Sequence, residues 1–304
     1  MTATARQFGQ AAIRRGPRQS TRDLSGVIVD VLDTFEGSMS TRQIYYQCVS
    51  RGAVQNCQAG YDRVQRLVVN LRRDGTIPYD RVVDRGRAKI QRAGWDGAQQ
   101  VVDAAAQQYR RNLWTEQDTV VMVACEKQAL EGVFAEAVDP YGASLWIVHG
   151  FSSVSFDYEW ATDIIAHNRN GKHVVIAFFG DHDPSGLCLA TTTCDRLISF
   201  GAEFEWIRAG LLEEDFERFD LVNIPVKHND SRARDYLRQF GDRAAELDAL
   251  HPDELRRRIT EAIEAHIDPG PWNRLSEIER VERESLAMVV GNWETAVAAA
   301  RGAA

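Results

Sequence analysis

Continuous apolar runs alternate with helically spaced ones along most of this chain. Thr119 to Ala124 (Thr-Val-Val-Met-Val-Ala), Leu145 to Val148 and Val174 to Phe179 are short, rich in β-branched and aromatic residues, and unbroken by polar positions. Such runs read as strands buried on both faces. Between the first two, Ala129, Leu130, Val133 and Phe134 recur at helical spacing. Between the second and third lie a Gly150-Phe151-Ser152-Ser153 loop and a helix-like run ending near Asn170-Gly171. The pattern is β-α-β-α-β, and right-handed crossovers make it a mainly parallel sheet. A covering helix through Leu189, Leu197 and Ile198 follows. Further strands are expected at Phe204 to Ile207 and Leu221 to Val226, with amphipathic C-terminal helices that include Pro252 to His266.

The front of the chain is patterned differently. Val27, Ile28, Val31, Leu32 and Phe35 line one face of a helix from about Asp23 to Phe35, which Gly37 ends. Ser40 with Gln43 three residues on has the capping-box form, so a second helix starts there and stops at Gly52. A third, Tyr61 to Asp74, turns Tyr61, Val64, Val68 and Leu71 inward and Arg63, Arg66 and Arg73 outward. Ile77-Pro78-Tyr79 and Val82-Val83, with Arg81, Arg85 and Arg87, read as a small basic hairpin. Three helices and a hairpin form the winged-helix pattern, which sets the third helix in the DNA major groove. The expected organisation is a basic arm over 1–20, a winged-helix domain over 21–92, a linking helix over 93–114 and an α/β domain with helical extension over 115–304.

Charge sharpens this division. The formal net charge of −8 argues against nucleic acid as a partner, but the balance is uneven. Residues 1–112 carry 18 Lys and Arg against 10 Asp and Glu, whereas the remainder carries 18 against 34. A basic front half suggests that the front contacts double-stranded DNA, although solvated Arg-rich helix faces give the same count. No apolar run reaches the length of a membrane span. The five cysteines form no Cys-x-x-Cys pair, which fits reduced thiols in a cytoplasmic protein and argues against a zinc site.

Candidate chemistry sits where two of the apolar runs end. Val174 to Phe179 stops at Gly180, and Asp181-His182-Asp183-Pro184-Ser185-Gly186 follows. In extended chain, side chains at i and i+2 point the same way, so Asp181 and Asp183 project together from a strand's carboxyl end. Open α/β sheets keep their ligands at that end. Paired carboxylates repel unless something neutralises them, and Mg²⁺ is suited to it. An Asp-x-Asp after a strand is also a common turn, so the metal reading needs a third acid. Glu126, at the end of the first strand run, supplies it. His182 points away from the pair and reads as structural or surface, and Ser185 is available to cap the next helix.

A lone Glu after the first strand and Asp-x-Asp after the third resemble the TOPRIM domain of topoisomerases, primases and related nucleases. Asp-x-Asp-Pro-x-Gly is most similar to the topoisomerase VI A subunit and the related meiotic double-strand-break protein. The resemblance implies Mg²⁺ held by Asp181 and Asp183, with Glu126 as a ligand or general acid/base.

The second helix carries Tyr45-Tyr46. At about 100° per residue, Tyr45 falls in a buried stripe with Ile44, Cys48 and Val49. Tyr46 lies off it, more exposed and one turn from Arg42. Arg42-x-x-Tyr45-Tyr46 resembles a motif in the DNA-binding domain of the same family. There the second tyrosine attacks a phosphodiester and stays linked to the 5′ end. The resemblance gives Tyr46 the nucleophile's part and Arg42 a supporting one. It also implies a homodimer, in which one copy's tyrosine works with its partner's metal site, and a separate ATPase subunit. The sequence Gln47 to Gly52 departs from the family's usual continuation. Two other readings stand beside this one: a metal-dependent nuclease in which water attacks, and a DNA-binding module without catalysis.

Overall fold

A computed structural model of the protein describes residues 19–35, 37–83, 94–148, 153–226 and 233–293, with 295, 297 and 299. Residues 1–18 of the expected basic arm, Gly150-Phe151-Ser152 of the expected loop, and Arg85 and Arg87 lie outside the described residues. The chain divides after residue 84 into two compact units.

The first unit packs α1 (Gln19–Asp33), α2 (Thr41–Ser50) and α3 (Gln58–Arg73) against one another, with two-residue strands β1 (Met39–Ser40) and β2 (Val82–Val83). The capping box forms as its residue types require. The Gln43 N–H donates to Ser40 Oγ at 3.2 Å, and the Ser40 N–H donates to Gln43 Oε1 at 2.7 Å. Such a cap is worth about 1 kcal/mol. The core centres on Ile28, Met39, Ile44, Cys48 and Val64, all wholly buried.

The hairpin expected over residues 77–83 is not formed there. Tyr79–Arg81 is a 3₁₀ turn, and β2 pairs in parallel with β1. Arg81 is drawn inward instead, its guanidinium donating to the carbonyls of Leu32 and, at 2.7 Å, Phe35. Those carbonyls end the first helical region, where helices leave acceptors unpaired.

The second unit is built on the expected parallel sheet. Its strands are β3 (Thr119–Cys125), β4 (Ser144–Ile147), β5 (His173–Phe179) and β6 (Glu205–Gly210), in the order β4-β3-β5-β6. The chain runs outward from β3 to β4, then returns across β3 to lay down β5 and β6. The β3/β5 boundary is therefore where the strand order reverses, the place such sheets bind ligands. β3 and β5 run in register from Thr119 opposite His173 to Cys125 opposite Phe179, so their carboxyl ends are level.

Unbroken apolar runs are explained by burial of both faces. Val121, Val123, Val175 and Phe179 pack under α5 (Glu131–Val138) and α10 (Pro252–Glu264), through Val133, Phe134, Leu255 and Ile259. Met122, Ile176 and Phe178 pack under α6 (Val154–Arg169) and α7 (Pro184–Ser199), through Trp160, Ile164, Leu189 and Leu197. α4 (Ala98–Gln108) lies along the long α11 (Pro269–Gly291). Beyond the end of α4, Tyr109 Oη and Arg111 Nη1 both reach the Glu282 carboxylate, at 2.6 and 2.7 Å. Among the described residues no helix is long and apolar enough to cross a membrane.

Leu221 to Val226 is not the expected strand. Its N–H groups go partly to side chains and loops. Ile224 donates to the Ala244 carbonyl and Val226 to Asp242 Oδ1, both at 2.8 Å. Pro225 has no N–H to offer a ladder. This segment lies between the short α8 (Asp215–Arg218) and α9 (Ala233–Phe240).

One buried ion pair joins α8 to α10. Arg258 grips the fully buried Asp215 through both guanidinium Nη atoms, and Asp215 Oδ2 also accepts the Leu212 N–H at 2.8 Å. Removing one partner of such a pair strands the other charge. Arg258→Met should cost about 3–5 kcal/mol in urea unfolding at pH 7. Arg258→Met together with Asp215→Asn should lose clearly less, because no buried charge is left alone.

Candidate functional site

Glu126 directly follows β3, and its N–H continues the sheet by donating to the Phe179 carbonyl at 2.9 Å. Its side chain turns over the end of β5. There Oε2 accepts the Asp181 N–H at 2.8 Å, so the first acid holds the backbone of the second. Glycine at two positions makes room for this. A Cβ on Gly180 would lie 2.8 Å from Glu126 Oε2, and one on Gly186 3.1 Å from it, besides meeting the Asp181 carbonyl.

Asp183 is the N-cap of α7, with Oδ1 accepting the Gly186 N–H at 2.6 Å and Pro184 in the first turn. It takes the role anticipated for Ser185, because its extended backbone (φ −149°, ψ 170°) aims the carboxylate back at the helix start. The helix dipole favours the negative charge there.

Both Asp181 oxygens are engaged. Oδ1 accepts the Leu247 N–H at 2.7 Å, and Oδ2 lies 2.9 Å from the Lys127 ammonium. Lys127 Nζ is also 2.8 Å from Glu246 and 3.3 Å from Asp248. Arg208, at the end of β6, donates through Nη2 to the Asp181 carbonyl at 2.6 Å and the Gly180 carbonyl at 3.1 Å.

His182, between the two aspartates, is structural and buried. Its backbone exchanges hydrogen bonds with Ala245 at 2.9 and 3.1 Å. Its Nδ1 lies 2.6 Å from Tyr236 Oη, and Phe216 and Phe240 meet its ring edge-on.

Five carboxylates (Glu126, Asp181, Asp183, Glu246, Asp248) thus gather near two cations, of which Lys127 pairs with three of them and Arg208 with backbone carbonyls. Burial is the main cause raising Glu126, with Asp183 adding to it. Burial also pushes Asp181 up to about 8 against the pull of Lys127, with Glu126 adding again. Burial alone would lower Lys127, but Asp181, Asp248 and Glu246 outweigh it and hold the ammonium above its usual range. Burial thus dominates the rise of the two acids, whereas the surrounding carboxylates dominate the rise of the base.

Among the described residues no group of three or more His, Cys, Asp or Glu side chains is arranged to hold a metal ion. The donor set nevertheless fits a hard cation in its chemistry. Glu126 and Asp183 each commit one oxygen to a backbone N–H, and among the described residues their second oxygens carry no hydrogen bond or ion pair. Carboxylate oxygens with surplus charge suit Mg²⁺ rather than zinc. Asp181 can join them only where Lys127 yields.

The tyrosine pair of the first unit departs from expectation. Tyr45 is buried as its spacing predicts, its hydroxyl 2.9 Å from Asn56 Oδ1 and its ring edge-on to Tyr61. Tyr46 is not exposed. It is only 7 % accessible, and Gln43 through Val49 are all buried. Helix periodicity assumes one packed face, whereas α2 is packed by both α1 and α3. Arg42 sits over the Tyr61 ring, 5.9 Å from its centroid. On α3, Arg66 and Arg73 are exposed and Arg63 half-buried.

The sequence reading passed over Lys127, Arg208 and the Glu246-Leu247-Asp248 segment. A signal was there for two of them. Lys127 follows Glu126 directly, and Glu246-x-Asp248 repeats the spacing of Asp181-x-Asp183. Arg208 carried no local signal, because only sheet order brings β6 beside β5. Comparison with protein-family models, curated proteins and solved structures finds no match to this chain.

The Asp181 shift makes stability depend on pH. Burial raises the proton affinity of folded Asp181 above that of the unfolded chain, so between the two ranges the folded state takes up more proton than the unfolded one. Its contribution therefore falls as pH rises from about 4 towards 8. Asp181→Asn keeps an oxygen for the Leu247 N–H but cannot ionise. In urea unfolding between pH 5 and 8, the variant's stability should decline less steeply with pH than the parent's.

Proposed function

We propose that this chain is a Mg²⁺-dependent DNA-cleaving protein similar to the topoisomerase VI A subunit. Its first unit is the winged-helix DNA-binding domain and its second carries the TOPRIM centre. The observation that carries the reading is the meeting of Glu126 with the Asp181–Asp183 loop at the sheet's switch point, with Gly180 and Gly186 leaving room for the Glu126 carboxylate. The exposed arginines of α3 and the positive charge of the front half support DNA as the substrate. In this reading the protein acts on duplex DNA as a homodimer, with strand passage driven by a separate ATPase.

Glu126 and Asp183, with Asp181 as the third ligand, would hold Mg²⁺, which when bound would neutralise phosphate charge. The chain's own groups do the rest. Tyr46 Oη attacks phosphorus and forms the 5′-phosphotyrosine while the P–O3′ bond breaks. Arg42 stabilises the phosphate, and the proton lost by Tyr46 Oη passes through solvent to the departing O3′. Arg208 and Lys127 keep the Asp181 loop in place.

A second reading has a specific observation in its favour. Tyr46 is 7 % accessible, so as a nucleophile it has to swing out of the α2 packing, which attack by water does not require. Hydrolysis at the same acid centre is then the chemistry, and Tyr46 is structural.

One assay separates the two. Protein, Mg²⁺ and end-labelled duplex DNA are incubated, denatured and resolved for protein-linked 5′ ends. Asp183→Asn retains a good helix cap but loses the charge, and should lower cleavage by roughly a hundredfold or more if the acid centre is catalytic. Tyr46→Phe should abolish the linkage while folding and DNA affinity persist. Free ends formed by Tyr46→Phe at the parent's rate would establish hydrolysis. Undiminished cleavage by Asp183→Asn would sink both readings.

A further inference from the structure

Lys127 is the feature of the acid centre that a simple three-carboxylate site does not need. Its ammonium lies within 3.3 Å of three carboxylates, Asp181, Glu246 and Asp248, and its side chain is 15 % exposed. Those contacts join two parts of the chain. Asp181 belongs to the loop after β5, whereas Glu246 and Asp248 belong to the segment that leads into α10. That segment is already tied to the loop by backbone. Ala245 pairs with His182, and Leu247 donates to Asp181 Oδ1. The Asp181 carboxylate is thus closed on one side by an N–H and on the other by a tethered cation.

A divalent cation and an ammonium ask for the same oxygen. In a partly buried site the second cannot stay at ion-pair distance once the first arrives, because like charges repel strongly there. The exchange has a ready acceptor: Glu246 and Asp248 remain beside Lys127 Nζ and can keep its charge satisfied as it leaves Asp181.

We propose that Lys127 is the resident counter-ion of this carboxylate cluster and the competitor of its divalent cation. Bound to Asp181, it holds the loop in order without metal. Displaced towards Glu246 and Asp248, it opens Asp181 as the third ligand. Lys127 is accordingly a positioning residue that sets the affinity of the site. This inference rests on the reading of Glu126, Asp181 and Asp183 as a Mg²⁺ site.

The test uses the full chain and Mn²⁺ alone as probe, with free ion followed by electron paramagnetic resonance. Lys127→Met removes the competitor at similar length and should bind Mn²⁺ roughly tenfold or more tightly than the parent. Lys127→Arg keeps the charge and should stay near the parent. Equal or weaker binding by a folded Lys127→Met protein overturns the proposal. So does absence of Mn²⁺ binding in parent and variant alike.

A measurement on the parent covers the case in which the variant does not fold. Acetylation of Lys127, quantified by mass spectrometry, should rise several-fold when Mn²⁺ is added. Lys172, whose ammonium is 2.6 to 3.1 Å from the carbonyls of Trp114, Thr115 and Gln117, should not change. Lys127 labelling that is unaltered at saturating Mn²⁺ overturns the proposal. The two readings fail separately. Mg²⁺-dependent cleavage with unaltered affinity in Lys127→Met removes only the competitor role. Tighter Mn²⁺ binding by that variant, in a protein that never cuts DNA, removes only the cleavage function.

Discussion

The hydrogen bond from the Asp181 N–H to the Glu126 carboxylate spans the ends of two adjacent parallel strands, and the second unit's acid centre depends on it. β3 and β5 must be neighbours, in register, with their carboxyl ends level, before Glu126 can reach that N–H. The glycines on either side of the Asp-x-Asp are part of the same constraint. A side chain at Gly180 would enter the space of Phe178 and Glu126, and one at Gly186 would push on the Asp181 carbonyl. Burial of both sheet faces keeps the strands in place, so the packing of α5, α6, α7 and α10 is what holds the two acids together.

Charge balance is the second theme. Burial at one sheet edge raises the proton affinity of Glu126 and Asp181, neighbouring carboxylates add to it, and Lys127 pulls the other way. Neither cation faces an isolated acid. Lys127 is shared by three carboxylates, while Arg208 is spent on the carbonyls of Gly180 and Asp181. One cation thus tunes charge and the other fixes backbone. Both leave Glu126 and Asp183 with an uncommitted oxygen among the described residues, which is the property a cation-binding edge needs.

In the first unit the same principle of packing acts against accessibility. α2 starts at a full capping box and is then covered on more than one side, so both of its tyrosines are buried. A phenol held in this way is protected from DNA as well as from water. In the proposed reading, attack by Tyr46 would therefore carry a conformational cost that attack by water would not.

The sequence by itself determined the parallel α/β core, the acids at two strand ends, the capping box and the inward stripe of α2. Each is a local property: unbroken apolar runs demand burial on both faces, and i, i+2 spacing aligns side chains in extended chain. Tertiary structure alone decided the rest. Strand order set β6 beside β5 and brought Arg208 to the loop. The return of the chain before α10 placed Glu246, Leu247 and Asp248 around Lys127 and Asp181. Packing of α2 by two helices buried Tyr46, which a one-sided periodicity leaves exposed. Side-chain acceptors and Pro225 kept Leu221 to Val226 out of the sheet despite a strand-like composition. Periodicity reports which residues leave water, but partners distant in sequence are chosen by topology, and a pattern along one segment carries no record of them.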